Sequence, residues 1–156
     1  MFLVSDTLAG RQALIGRYSG NEATLGILLS VIDFEWTVRR AIIALGAEPT
    51  KAIRADIEKC SGLPAYNKAW KKHVHPQTKR ELDQVVSDWD FLRDQSFPLR
   101  HKIVHGVNVR ASESFAAERR DCALKASASV CNFASSLGVD LYKRLPVRQK
   151  AKVLTP

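Results

Sequence analysis

Residues 21–45 constrain this chain more than any other stretch. Leu25, Leu29, Ile32, Trp36 and Ile43 recur at helical spacing, and Ile27, Val31, Phe34, Val38 and Ile42 make a second stripe on the same segment. A helix apolar on two sides has little face to give to water, so it belongs at the centre of a bundle. Asn21 is placed to cap its start, and Gly46 sits where a C′ glycine belongs. The polar residues of such a helix are informative, because a buried carboxylate is costly unless it is paired. Glu35 is expected to pair with Arg39, four residues on, or with Arg100. Asp33, Thr37 and Arg40 share another strip.

The rest of the chain is also helical in pattern. A short helix is expected over residues 6–17, closed by Gly16 and Gly20. Residues 49–73 read as two short helices broken at Ser61-Gly62, with Pro49 and Pro64 suited to first-turn positions. A long helix is expected over 78–95 on the stripe Leu82, Val85, Val86, Trp89 and Leu92. Pro98 should interrupt or kink it, with Ser96 capping a fresh start that runs to Gly106. Residues 107–112 read as a loop. A last long helix is expected over 113–144, stopped by Pro146, with Ala123, Ala126, Val130, Phe133, Leu137 and Leu141 inward. The fold expected is all-α, a single domain over residues 1–156. It is an antiparallel bundle of about four main helices with a short-helix insertion at 49–76.

Composition narrows the classes. The 156 residues suffice for one domain with its own core. Three cysteines, Cys60, Cys122 and Cys131, show no CxxC spacing, which argues against a disulfide scaffold and a zinc ribbon. His73 and His75 form an HxH pair, but no further ligands at metal spacing accompany them, so neither a metal nor a cofactor is expected. The N-terminus lacks the basic n-region of a signal peptide. The most apolar stretch, Leu25 to Ile32, is closed by Asp33 and Glu35, too short to span a bilayer. A cytoplasmic chain with no membrane partner is the expectation. The formal charge is +8, which favours an anionic partner, nucleic acid first. Residues 141–156 contribute five Lys and Arg with no acid, so the basic C-terminal tail carries most of the excess and is a candidate for phosphate contacts.

The chemistry concentrates in Arg100-His101-Lys102-Ile103-Val104-His105-Gly106. His101 and His105 are four residues apart and face the same way on a helix. Arg100 and His105 are five apart, about 140° around an ideal helix, so they meet only if the last turn deforms or if a two-fold dimer brings two copies together. A histidine can accept or give a proton near neutral pH, and an arginine offers a fixed charge and a planar fork to phosphate. RNA supplies its own nucleophile in the 2′-hydroxyl. One histidine to take that proton and one arginine to stabilise the five-coordinate phosphorus form a minimal, metal-free ribonuclease.

Arg100 to His105 resembles the R-x4-H signature of HEPN domains, with His101 in the polar position after the arginine and His105-Gly106 as the motif's common ending. The long helix carrying Phe34-Glu35-Trp36 and Arg39-Arg40, the helix leading into the motif and the long helix after it are similar to the family's surroundings. The resemblance implies an all-α homodimer whose two motifs share one cleft. It also implies a metal-independent endoribonuclease that cleaves RNA to a 2′,3′-cyclic phosphate, as toxins paired with an antitoxin protein or phage-defence enzymes do. In that reading Arg100 and His105 are catalytic, with His105 as general base and its dimer mate as general acid. His101 and Lys102 bind substrate, and Glu35 orients the motif from the opposite helix. The competing expectation is a non-catalytic helical module that binds nucleic acid or a protein, with Arg100 in a salt bridge to Asp94 or Glu35 and His105 closing a helix C-terminus.

Overall fold

A computed structural model describes residues 7–18, 22–106 and 112–151. It is all-α. In chain order the helices are α1 (Leu8–Gly16), α2 (Ala23–Leu45), α3 (Thr50–Glu58), α4 (Gly62–His73), α5 (His75–Thr78), α6 (Leu82–Val85), α7 (Trp89–Phe91), α8 (Phe97–Val104) and α9 (Glu113–Ser136). A π-helical turn, Leu92–Ser96, joins α7 to α8. Asn21, Gly20, the loop 107–111 and the tail beyond Ala151 lie outside the described residues.

The doubly apolar segment is the axis of the fold, as its pattern dictates. Val31, Phe34, Val38, Ala41 and Ile42 on α2 are fully buried. Helix direction follows from the contacts. Arg11 of α1 meets Asp33, and the carbonyl of Tyr18, just past α1, lies against Gly26, so α1 runs antiparallel to α2. Phe97 of α8 packs edge-on to Phe34, while Leu99 and Ile103 reach Ala23 and Ile27, so α8 is antiparallel too. Ala116 of α9 joins that same cluster near the start of α2, and Arg40 near its end holds the carbonyl of Leu141, so α9 runs alongside α2 in the same sense. The α2–α9 pair is the most extensive in the molecule. Ala123, Ala126 and Ala134 are fully buried on α9, and such small side chains let helices approach closely.

Several expected boundaries shift, each for a local reason. The long helix over 78–95 is instead α6, α7 and most of the π turn, because Lys79 (φ +56°) and Asp88 (φ +55°) adopt left-handed conformations. The Trp70 indole N–H donates to the carbonyl of Arg80 at 3.0 Å, and a Glu81–Gln84 capping box starts α6 afresh. The stripe still points inward, with Leu82, Val86 and Leu92 buried. At Pro98 the helix does not break and Ser96 is not a cap. The Phe97 N–H reaches back to the carbonyl of Leu92, and this wider π turn makes room for the proline ring. Ser96 is buried, and its hydroxyl donates to the carbonyl of Arg119 on α9. The last helix stops at Ser136 rather than 144. Gly138 (φ +75°) turns the chain, and the N–H of Val139 donates to the carbonyl of Ala134 at 2.9 Å. Leu141 is nevertheless buried, because the chain folds back along α2.

Gly46 is required for space rather than for a left-handed turn. Its φ is −63°, and a Cβ there would sit 2.6 Å from Ile53 Cδ1 and 2.8 Å from the carbonyl of Ile42.

The tail is tied down rather than solvated throughout. Arg148 donates from its guanidinium to the carbonyls of Ile43, Ala44 and Glu48, which caps the C-terminal end of α2. Thr50 and Arg148 also exchange hydrogen bonds of 2.9 Å, backbone N–H to carbonyl one way and backbone N–H to hydroxyl the other.

The deepest polar contact is the ion pair of Arg11 Nε with Asp33 Oδ1 at 2.5 Å, with side chains 2% and 0% exposed. Removing one member of a buried pair leaves the other charge in a dry site. Asp33→Ala should therefore lower unfolding free energy by about 3–5 kcal/mol in urea titrations. Adding Arg11→Met should recover most of that loss. A single variant within about 1 kcal/mol of wild type would contradict this reading of the pair.

Candidate functional site

The 100–106 segment occupies α8 and its C-terminal turn. Leu99 is buried and Ile103 half-buried against Ala23, Ile27 and Ala116, so Ile103 anchors the segment, whereas Val104, expected to share that role, is exposed. His101, Lys102, His105 and Gly106 face solvent. The imidazole rings of His101 and His105 lie 4.2 Å apart between centroids, tilted 54°. This is the juxtaposition their spacing dictates. His105 is the first residue past the helix, with φ −90° and ψ 13°, and its N–H donates to the carbonyl of His101 at 3.1 Å. Gly106 follows at φ +68°, a conformation that costs a residue with a Cβ far more than glycine. With that bond His105 keeps the helical register, which sets it about 140° around α8 from Arg100.

Arg100 is half-buried, and its Nη2 lies 3.7 Å from Oε2 of Glu35 on α2. This is a loose ion pair. Arg100 Nε is buried with no hydrogen-bond partner. The guanidinium is thus oriented by one carboxylate, with N–H groups left to donate elsewhere. Arg100 does not pair with Asp94, which instead forms a two-bond fork with Arg93.

Glu35 does not take Arg39 as its partner. Arg39 Nε donates to the hydroxyl of Tyr66 at 2.6 Å, and its Nη2 donates to the carbonyl of Cys60 at 3.2 Å. Burial pushes the Glu35 carboxyl above the ordinary glutamate value, and the positive charges of Arg100 and Arg39 pull it part of the way back. The carboxylate is therefore held at some cost to the fold.

Two clamps that the sequence did not reveal hold the motif helix in place. Arg119 on α9 donates to Gln95 Oε1 in the π turn at 2.8 Å and to the carbonyl of Phe115 at 3.1 Å, and its guanidinium lies 3.3 Å from the Phe115 ring centroid. The hydroxyl of Ser96 fixes the same turn from the other side. Arg119 falls on the buried stripe between Ala116 and Ala123, and an arginine in that register was the available signal. Trp36 lies elsewhere, against α1 and the chain after α9. It is half-buried, with Arg11 3.9 Å and Arg40 4.8 Å from its ring centroid and Tyr142 beside it at 5.4 Å. Trp70 is core, fully buried.

The HxH pair is divided between different partners. His73 is buried, with Nδ1 2.9 Å from Glu48 and Nε2 3.0 Å from Asp56, whereas His75 approaches Glu81 at 3.7 Å. The cysteines are free thiols, and burial pushes Cys131 up to about 12. Among the described residues no helix is long and apolar enough to cross a membrane. No family model matches the chain, and no curated protein or solved structure is significantly similar to it.

A carboxyl raised in the folded state contributes stability that is full below its unfolded value, near 4.5, and is lost as pH rises through the folded value. Glu35→Gln should therefore compare more favourably with wild type at pH 7 than at pH 4 in thermal melts. A stability difference that moves the opposite way with pH would contradict the desolvation assigned to Glu35.

Proposed function

We propose that this chain is a metal-independent endoribonuclease of HEPN type, acting as a homodimer. The observation that carries the reading is the presence, on one helix end, of two solvent-facing imidazoles 4.2 Å apart and a half-buried guanidinium loosely held by Glu35. His105 takes the proton of the 2′-hydroxyl, which attacks the adjacent phosphorus. The phosphorus–5′-oxygen bond breaks, leaving a 2′,3′-cyclic phosphate and a 5′-hydroxyl. Arg100 binds the non-bridging oxygens and stabilises the charge that gathers on them. Glu35 is a positioning residue, because it touches Arg100 and not the substrate. His101 and Lys102 contact neighbouring groups of the RNA.

In-line displacement puts the attacking and leaving oxygens on opposite sides of phosphorus. Rings stacked 4.2 Å apart lie on the same side of a bound phosphate. Protonation of the leaving 5′-oxygen therefore falls to His105 of a second copy. This chemical need, rather than surface area, supports the homodimer. In the toxin setting an antitoxin protein would cover this helix end.

The second reading, a non-catalytic binding module, has its own support. Arg100 does meet Glu35, and His105 does close α8, both of which a structural role requires. Activity in EDTA separates the two. Wild type should cleave single-stranded RNA there, and Arg100→Ala and His105→Ala should each lower the rate by about 10²–10⁴-fold with unchanged circular dichroism. Cleavage that persists in both variants, or that needs a divalent ion, would sink the ribonuclease.

A further inference from the structure

The fold sets two basic stretches of the sequence beside each other. Residues 49–76 hold six Lys and Arg against two acids, and residues 141–156 hold five against none. The other residues hold thirteen against fourteen. The two basic segments are far apart in sequence, yet the Thr50–Arg148 hydrogen bonds lock the tail along α3. Lys51, Arg54 and Arg148 line a groove of about 700 Å³ between α3 and the tail. On the other side of α3, Lys59, Lys68 and Lys72 line a second groove of about 370 Å³ against α4. Lys72 is neutralised by Asp56 at 2.6 Å. Lys51, Arg54, Lys59 and Lys68 are exposed, with no carboxylate within ion-pair distance among the described residues. Concentrating like charge in this way opposes folding, and solubility alone is served better by interspersed signs.

We infer that the α3 face is a sequence-independent tract for the RNA backbone, leading single-stranded RNA to the α8 site. This rests on the ribonuclease reading for its destination, but not for the binding itself. Position favours a strand that continues to the motif. Cys60 lines the second groove, and its carbonyl holds Arg39, which lies one turn of α2 beyond the Glu35 that orients Arg100. A membrane surface fits less well. The apolar side of α3, Ile53 and Ile57, is buried in the core, and among the described residues Val147 is the only strongly exposed large apolar side chain beside the face.

The test uses a labelled single-stranded RNA, 2′-O-methylated throughout so that it cannot be cleaved, titrated by fluorescence anisotropy over a range of KCl. The variant carries Lys51→Gln, Arg54→Gln, Lys59→Gln and Lys68→Gln together, and leaves the structural Arg148 intact. Each phosphate contact on a single strand adds about 0.7 to the slope of log affinity against log salt. The variant should bind about tenfold or more weakly and lose up to roughly 3 from that slope, with unchanged circular dichroism. Unchanged affinity and slope in the quadruple variant would overturn the tract, as would a wild type that does not bind this RNA. Loss of binding only to phosphatidylserine vesicles would overturn it in favour of a membrane. If binding falls as stated but wild type cleaves no unmodified RNA, the tract stands and the ribonuclease falls. If wild type cleaves and the variant binds and cleaves equally well, the reverse holds.

Discussion

A charged side chain on a helix covered over most of its surface gains from a partner, because little water is left to solvate it. α2 carries four such residues, and each one ties down a different element. Asp33 binds Arg11 and fastens α1. Glu35 orients Arg100 and fastens the motif helix. Arg39 bonds Tyr66 and the carbonyl of Cys60, which joins α4 and the α3–α4 turn. Arg40 holds the carbonyls of Leu141 and Lys143 and brings the chain after α9 back across the bundle. The apolar stripes place α2 at the centre, and the polar residues determine what is hung from it and at which height. The end of α2 completes the scheme, with Arg148 on its last carbonyls.

This explains how much could be read without coordinates. The all-α class and the start and end of α2, α3 and α4 are local matters of periodicity and punctuation, and they stand close to where the pattern puts them. The region 78–95 defeated the pattern because Leu82, Val86 and Leu92 are buried at helical spacing although the backbone turns through left-handed Lys79 ahead of them and left-handed Asp88 between Val86 and Leu92. Hydrophobic spacing reports where side chains go, not whether the hydrogen bonds between them are continuous. The overrun of α9 has the same origin, since Leu141 is buried by a returning chain rather than by further turns of helix. Pro98 misled differently. A π turn absorbs it, and no residue pattern distinguishes that outcome from a break.

The candidate site was legible to the extent that it is local. Arg100, His101, Lys102 and His105 share one helix end, and the two rings meet as their four-residue spacing requires. What was not legible is long-range. Arg119 and Arg11 are arginines on stripes that face the core, and only the packed structure shows what each one bonds. The choice of Arg100 over Arg39 as the partner of Glu35 is of the same kind, because Tyr66 claims Arg39 from another helix. The basic tail is a candidate for phosphate contacts on sequence alone, and the Thr50–Arg148 bonds that set it beside α3 are long-range too.

The functional account requires the RNA to supply its own nucleophile, and that leaves a chemical signature independent of any substitution in the protein. End-group analysis by mass spectrometry of the cleaved RNA tests it most directly. The account predicts 2′,3′-cyclic phosphate and 5′-hydroxyl ends, and no cut at a position whose 2′-hydroxyl is methylated. Ends bearing 5′-phosphate and 3′-hydroxyl would contradict it, since water and not the 2′-oxygen would then have been the nucleophile.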